Sequence, residues 1–342
     1  DPVVAIGPNG RQYAGFLARR QGTSDLSDIG LFVASRPGAA SDWQVARADA
    51  QAGIGNDRPA IAIDERSGRV YVAWTRFYGQ RRLPVEVASS GDGGRTWSVP
   101  VAVHEAGPEL FASIAVAPDG AVYVVWDEFF AGRIGIARSE DGGRTFGPGM
   151  EVAGYEEGIW GTTDCEPYGV PIPAQREDCV RPNPIVTAGA EGVYVTWAAA
   201  GANGSQDVFV RAFEAGLRPR GDARAIRPDD ERPSDQFWPT SAYDRSAATL
   251  WACFYDTRGA DAPARARFTC TASRNGGDSW LEPVGAARVA SDETRPGARR
   301  TGFGDYEGVA AAHGRAHAVW TDSRRLPLWG EEIFSSRLRL RD

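Results

Sequence analysis

The sequence predicts an all-β fold, a six-bladed β-propeller of four-stranded antiparallel blades, and three observations carry that expectation. An eight-residue turn recurs, a strand ending in an aromatic residue recurs six times, and turn formers crowd the stretches between. Of 342 residues, 41 are glycine and 22 proline, beside 42% hydrophobic residues. That many breakers among Val and aromatic runs favour short strands over helices, and a fixed unit reused along the chain is the mark of a repeat architecture.

The turn is Ser90-Gly91-Asp92-Gly93-Gly94-Arg95-Thr96-Trp97. Residues 139–146 (Ser-Glu-Asp-Gly-Gly-Arg-Thr-Phe) repeat it, and residues 273–280 repeat it with Asn275 in place of Asp. Each copy follows a β-rich run such as Val85 to Ala88 and ends in an aromatic residue that opens the next strand. Glycine supplies positive φ, Asp or Asn accepts backbone N–H bonds across the turn, and the aromatic plugs the layer beneath.

The second repeat fixes the unit. Gly10 to Phe16 aligns with Gly68 to Trp74 and Gly120 to Trp126, and the series continues through Val193 to Trp197, Leu250 to Phe254 and Ala316 to Trp320. Before each string lies another apolar strand: Val3 to Ile6, Ala60 to Ile63, Ser113 to Val116, Pro184 to Thr187, Pro239 to Ala242 and Gly308 to Ala311. Six units of four strands give one propeller over 1–342, with blades at about 1–50, 51–104, 105–153, 181–227, 235–287 and 304–342. The first unit carries a worn turn from Ser35 to Trp43, and the fourth replaces it with Phe213-Glu214-Ala215-Gly216. A fourth strand in the sixth unit is expected to be short or missing. Two insertions interrupt the rhythm: 154–180, with Cys165 and Cys179, and 288–303, with Arg295, Arg299 and Arg300. Long ordered loops on a rigid scaffold often carry function.

The charge of −7 argues against a nucleic-acid partner, because a phosphate backbone recruits basic surface. All 38 basic residues are arginine, which excludes Schiff-base and P-loop chemistry. No apolar run approaches the ~20 residues of a membrane span. The chain opens at Asp1 without an initiator Met, read as signal-peptide removal or trimming. The four cysteines form two local pairs, Cys165 with Cys179 and Cys253 with Cys270. Neither has metal or redox spacing, so two disulfides and a secreted or periplasmic location are expected. His313 and His317 straddle a β turn without a third ligand, and no metal or cofactor is implied.

In a blade whose strands alternate in direction, the recurring turns lie on one face. The starts of the first strands and the ends of the second lie on the other. That second face collects Asp57, Arg58, Glu109, Phe111, Arg181, Asn183, Asp235, Gln236, Trp238, Asp305, Tyr306 and Glu307. It also collects Arg76, Tyr78, Asp127, Glu128, Tyr255, Asp256, Arg258, Asp322, Arg324 and Arg325. Guanidinium forks suit carboxylate or sulfate, and aromatic faces stack on sugar rings. Asp256-Thr257-Arg258 and Asp322-Ser323-Arg324 occupy matching positions, where each Asp and Arg can pair with one another or with the next blade. Gly304-Asp305-Tyr306-Glu307-Gly308 sets a tyrosine between two acids.

The turns at 90–97 and 139–146 resemble the Asp boxes of the sialidase superfamily of BNR-repeat propellers, and the resemblance covers nearly the whole chain. It implies the propeller fold, with the boxes on the face away from the active site. In that family a Tyr nucleophile is assisted by a Glu, an Arg triad grips the substrate carboxylate, and an Asp is the acid. Tyr306 occupies a place matching the nucleophile, and Arg181 and Arg258 fall on the face of the triad. Where the family opens with Arg-Ile-Pro this chain has Asp1-Pro2-Val3, and Leu17 to Arg20 stand where an Asp-x-Arg string belongs. The catalytic candidates are therefore Tyr306, Asp305, Glu307, Asp256 and Asp322. The substrate-binding candidates are Arg58, Arg76, Glu128, Arg181, Trp238, Arg258 and Arg324. The expected activity is that of a glycoside hydrolase-type enzyme acting on carbohydrate. The alternative is a non-catalytic propeller that binds a glycan or a protein, or serves as a subunit of an extracellular assembly.

Overall fold

The computed structural model describes residues 1–19, 22, 29–49, 55–78, 82–105, 107, 109–155, 170–175, 179–227, 233–295, 302–325 and 332–339. The chain divides into two compact units, Asp1–Gly154 and Tyr155–Asp342. The first holds three four-stranded sheets. They comprise β1 (Val3–Ile6), β2 (Gln12–Ala18), β3 (Gly30–Arg36) and β4 (Gln44–Arg47), then β5 (Gly55–Ile63), β6 (Val70–Phe77), β7 (Val85–Ser90) and β8 (Val101–His104). The third is β9 (Leu110–Val116), β10 (Val122–Glu128), β11 (Arg133–Ser139) and β12 (Met150–Gly154).

The second unit begins with β13 (Ile185–Ala188), β14 (Val193–Ala200), β15 (Gln206–Phe213) and β16 (Arg224–Ala225). Next come β17 (Gln236–Asp244), β18 (Thr249–Asp256), β19 (Arg265–Ser273) and β20 (Val284–Gly285), with β21 (Ser291–Asp292) pairing back onto β19. Its last sheet is β22 (Gly308–Ala312), β23 (Arg315–Asp322) and β24 (Glu332–Arg339), three strands among the described residues. The sheets are those of a six-bladed β-propeller. The strand β21 within 288–303 was not foreseen. No helix among the described residues is long and apolar enough to cross a membrane.

The cores lie between successive sheets, where β6, β10, β14 and β18 bury both faces and so read as nearly continuous apolar runs, while β2 and β23 alternate. Tyr13, Val33, Val72, Trp74 and Ala88 form one layer, Tyr71, Val87, Val124 and Trp126 the next, and in the second unit Tyr194, Val210, Ala252 and Phe254 form another. The aromatic closing each recurring turn packs into these layers: Trp97, Phe146 and Trp280 respectively.

Each turn is an internally bonded cap. The Ser90 hydroxyl donates to Asp92 Oδ1 at 2.8 Å and accepts from the Gly94 N–H at 2.9 Å, while the N–H groups of Arg95 and Thr96 donate to Asp92 Oδ1, both at 3.0 Å. Ser139, Asp141, Gly143 and Thr145 repeat the pattern, and Asn275 Oδ1 accepts the Ser279 N–H at 3.0 Å. Hydrogen bonds from Thr96 and Thr145 hold the carboxyls of Asp92 and Asp141 well below the usual range.

The glycines are required by the neighbour as well as by φ. A Cβ on Gly143 (φ +79) would stand 3.1 Å from Tyr71 Cε1, one on Gly94 (φ +87) 3.4 Å from Tyr13 Cε1, and one on Gly276 (φ +70) 3.2 Å from the Tyr194 hydroxyl. Each Gly-Gly turn thus seats on the tyrosine of the preceding sheet.

Cys253 and Cys270 are cross-strand partners on β18 and β19 and form the expected disulfide. Cys179 is buried and disulfide-bonded. Cys165 lies outside the described residues, as do Arg299 and Arg300.

Candidate functional site

The mouths of the first strands share a backbone device. Arg58, Phe111, Asn183 and Trp238 have φ of 48, 56, 44 and 49°, a left-handed conformation rare for bulky residues. The ladder slips there, between Asp57 and Ala60 on β5 and between Phe237 and Thr240 on β17. Proline follows Arg58, Asn183 and Trp238; lacking an N–H it cannot bond to the ladder, which favours a bulge. The bulge lets β5, β9 and β17 begin nearer the mouth than the apolar runs suggested, and it redirects the side chain at the slip. In the first unit the Arg58 guanidinium lies 3.7 Å over the Phe111 ring. In the second, Asn183 and the Trp238 indole are buried, so Trp238 offers no open stacking face of the kind expected for it.

Arg76 is also withdrawn from solvent, at 1% exposure. It donates to the Asp49 carbonyl at 2.9 Å and lies 3.6 Å from Glu86. Asn56 bridges to the Asp49 carboxylate at 2.6 Å. Arg76 therefore organises a buried polar cluster instead of presenting a fork to a ligand.

Glu86 is the functional group that sequence reasoning missed. It pairs across from Trp74, where the corresponding positions of the other sheets carry Phe32, Gly135, Phe209, Thr269 and Phe334. An acid in a series that is otherwise uncharged was the available signal. Its carboxyl accepts the Tyr78 hydroxyl at 2.8 Å, and the Arg82 guanidinium stands 4.4 Å over the Tyr78 ring. Burial pushes the Glu86 pKa up, opposed by Tyr78 and Arg76. Tyr78 is 38% exposed, so a nearly buried acid reaches solvent through a phenol.

The expected acids at the ends of the second strands are engaged locally. Glu128 accepts the Trp126 indole N–H at 3.1 Å and Arg133 Nε at 2.6 Å. Asp322 accepts the Trp320 indole N–H at 2.9 Å and pairs with Arg324, whose Nε lies 2.8 Å from Oδ1. Asp256 accepts the Arg258 backbone N–H at 2.7 Å, and the Arg258 side chain reaches Ser234 at 3.3 Å. The guanidinium pairs with the acid of its own string only at Asp322 and Arg324; near Asp256 the guanidinium is that of Arg227, at 4.0 Å. Arg181 is half-buried near Asn183.

Tyr306 is 41% exposed, with Asp305 and Glu307 half-buried beside it. The segment is held from below. Phe303 packs 4.5 Å from the Tyr255 ring, and Gln175 clamps the Phe303 backbone, accepting its N–H at 2.7 Å and donating to its carbonyl at 3.2 Å. Tyr255 is scaffold: its hydroxyl donates to the Thr321 carbonyl at 2.6 Å, and burial with the nearby Glu307 charge raises its pKa strongly. Among the described residues no group of three His, Cys, Asp or Glu is placed to hold a metal ion.

The class these sheets define is the six-bladed propeller, and solved structures share that fold. A Hadza microbial sialidase is 14% identical with a TM-score of 0.54, covering 99% of this chain and 65% of its own; the chain thus spans just under two thirds of that protein. An ulvan lyase bound to -[GlcA(1-4)Rha3S]- is 12% identical with a TM-score of 0.54, covering 97% of this chain and 79% of its own. An α-L-arabinofuranosidase from Fusarium graminearum, in complex with an iminosugar inhibitor, is 12% identical with a TM-score of 0.50, covering 83% and 93%. At these identities the likeness is one of fold. No family profile matches the chain, and no curated protein matches it in sequence.

Proposed function

We propose that this propeller acts on carbohydrate as a glycoside hydrolase-type enzyme of the extracytoplasmic space, with its recurring turns serving as Asp boxes. The observation that carries the reading is Glu86: a buried carboxyl with a raised pKa, bonded at 2.8 Å to a solvent-reaching tyrosine. Raised carboxyl pKa values are how acid catalysis runs near neutrality. In this reading Glu86 is protonated and the Tyr78 hydroxyl turns to accept from it; as the glycosidic C–O bond breaks, Tyr78 gives its own proton to the departing sugar oxygen and takes the Glu86 proton in its place, and water adds to the anomeric carbon. Arg82, which donates to Glu105 at 2.9 Å, keeps further N–H donors for an anionic sugar alongside. Tyr306, exposed between Asp305 and Glu307, is the candidate nucleophile of the second unit. That a sialidase, an ulvan lyase and an arabinofuranosidase share the fold supports the substrate class.

Hydrolysis of a panel of aryl glycosides and uronate-containing polysaccharides, followed by product analysis, tests the proposal. Glu86→Gln is expected to lower kcat at least tenfold and to flatten the basic limb of the pH profile. Tyr306→Phe is expected to abolish turnover if that hydroxyl attacks the sugar, and unchanged rates in both variants would remove both roles. A non-catalytic glycan-binding propeller is the second reading, favoured by one observation: Glu128, Asp256 and Asp322 are all spent on internal partners. Binding on a glycan array without products in the panel would select it.

A further inference from the structure

The end of the second sheet, where β7 begins and β8 finishes, carries two titratable side chains on opposite faces. Val85 pairs with His104 and Glu86 with Ala102, the register slipping between them. Glu86 faces Arg76 and Tyr78, whereas His104 stacks on Trp126 of the next sheet with ring centres 4.8 Å apart. Gly149 closes over the same two rings, since a Cβ there would lie 3.0 Å from His104 Cδ2 and 3.2 Å from Trp126.

The imidazole is held in one protonation pattern. Nδ1 lies 2.5 Å from Oε1 of Glu109, whose side chain is wholly buried, and Oε2 of the same carboxyl accepts the Val85 N–H at 3.0 Å. The Glu109 backbone is tied as well, donating to the Leu83 carbonyl at 3.0 Å and accepting the Thr75 hydroxyl at 3.1 Å. A carboxylate only accepts, and an N–H on its other oxygen favours the ionised form, so Nδ1 is the donor. Nε2 then keeps its lone pair. The side chain is 21% exposed, Nε2 has no hydrogen bond among the described residues, and it is not one of the buried atoms left without a partner. The exposed edge therefore includes it. Glu128 Oε1 stands 3.9 Å from Nδ1, with Arg133 bonded to its other oxygen. A positive charge arriving on the ring thus falls between two carboxylates, offset in part by Arg133.

We infer that His104 is a general base, with Glu109 as its positioning residue, and that it takes the proton of the water that attacks the sugar. The inference rests on the hydrolytic reading given above and closes its proton balance. Glu86, through Tyr78, supplies one proton to the departing oxygen, and the water whose oxygen bonds to the anomeric carbon must lose one. Nε2 presents an open lone pair at the same end of the same sheet. The glycosidic C–O bond breaks, the bond from water oxygen to carbon forms, and the water proton passes to Nε2. The imidazolium afterwards releases that proton to solvent, and Glu86 regains its own through Tyr78. An acid and a base on opposite sides of the reacting carbon let water enter as the sugar leaves. A sugar chain laid across the end of this sheet meets the two groups from its two faces.

Two measurements on the intact protein test the inference. In ¹⁵N-histidine-labelled protein, with His104→Gln to assign the ring, neutral pH is expected to show a protonated Nδ1 and a bare Nε2, and acidification to protonate Nε2; Glu109→Gln should mix the two tautomers. A proton on Nε2 and none on Nδ1 at neutral pH would overturn the inference. The second measurement is the pH dependence of kcat/KM on the panel substrate that the wild type cleaves fastest. His104→Ala is expected to lower kcat at least about a hundredfold, to remove the acid limb, and to recover at least about tenfold with added imidazole, a rescue that a merely structural residue would not show. Glu86→Gln keeps the acid limb and gains nothing from imidazole. Wild-type kcat and acid limb in His104→Ala overturn this inference alone, whereas a wild type that cleaves none of the panel overturns the hydrolytic reading and this role with it. Should His104→Ala not fold, Glu109→Gln decides in its place: a kcat lowered at least about tenfold is expected, and an unchanged one overturns the inference.

Discussion

Replacing Gly143 with alanine isolates the contact that joins one sheet to the next. Two costs are visible in the geometry. Gly143 has φ +79, where a Cβ is strained, and the new methyl would sit 3.1 Å from Tyr71 Cε1 and 3.4 Å from Cδ1. Left-handed backbone costs a residue with a side chain about 1–2 kcal/mol, and forcing an extra methyl into a packed layer adds about 1–3 kcal/mol. Gly142 separates the two terms. It has φ +73 but its added Cβ would meet only the Tyr71 hydroxyl, at an ordinary 3.6 Å. Gly142→Ala is therefore expected to lose about 1–2 kcal/mol and Gly143→Ala about 2–5 kcal/mol. Urea unfolding gives both as shifts in midpoint at unchanged slope. Tyr71→Leu, which removes the ring edge, is expected to shrink the difference between the two alanine variants, a coupling read by a double-mutant cycle. Equal losses for Gly142→Ala and Gly143→Ala would refute the claim that the turn is seated on Tyr71.

Three further outcomes are expected. Because the folded pKa of Glu86 is raised, its favourable contribution is complete below the unfolded carboxyl pKa and is lost as pH rises through the folded value; Glu86→Gln should therefore raise Tm at pH 7 and leave it unchanged or lower at pH 4, with each tenfold change in proton affinity worth about 1.4 kcal/mol. Asn275→Asp restores the residue of the other two turns, whose carboxyls are held well below the usual range; it should stabilise by no more than about 1 kcal/mol above the unfolded pKa, a gain lost as pH falls through the folded one, because the turn is solvent-exposed. Gln175→Ala removes both bonds to Phe303, so hydrogen exchange across 302–307 should accelerate at least tenfold while the β18 amides stay protected, and an unchanged segment would show that the clamp does not hold Tyr306 in place.

Much of the architecture was legible because it depends on short-range rules. The turns at 90–97, 139–146 and 273–280 announce themselves through glycine and Asp or Asn at fixed offsets, since their hydrogen bonds close within eight residues. The second strands β6, β10, β14 and β18 announce themselves as apolar runs because both faces are buried. The mouths of the first strands were read too short, for the bulges at Arg58, Phe111 and Trp238 depend on a ladder with the neighbouring strand. The candidate site was less legible. Asp322 and Arg324 did pair as their spacing allowed, and the Trp126 and Trp320 indoles bond the acids two residues on along the same strand face, whereas the burial of Arg76 and Glu86 depends on sheet packing that no local pattern shows. Glu86 was passed over as one residue of an apolar run, although comparison of that position across the sheets would have marked it.

The sequence by itself determined the fold class, the strand order, the identity of the recurring turn and the Cys253–Cys270 bridge, because repetition and local hydrogen bonding encode all four. Only the tertiary structure decided which polar groups remain available. Arg76 is committed to Asp49 and Glu86, which register and sheet packing bring within 4 Å, and the same packing buries Glu86 while its partner Tyr78 keeps a path to solvent. The reason is physical: the energy of a charge or a buried donor depends on what lies within a few ångströms, and the neighbours of Arg76 and Glu86 come from other segments of the chain, whereas Glu128, Asp256 and Asp322 take bonds from residues two to five positions away.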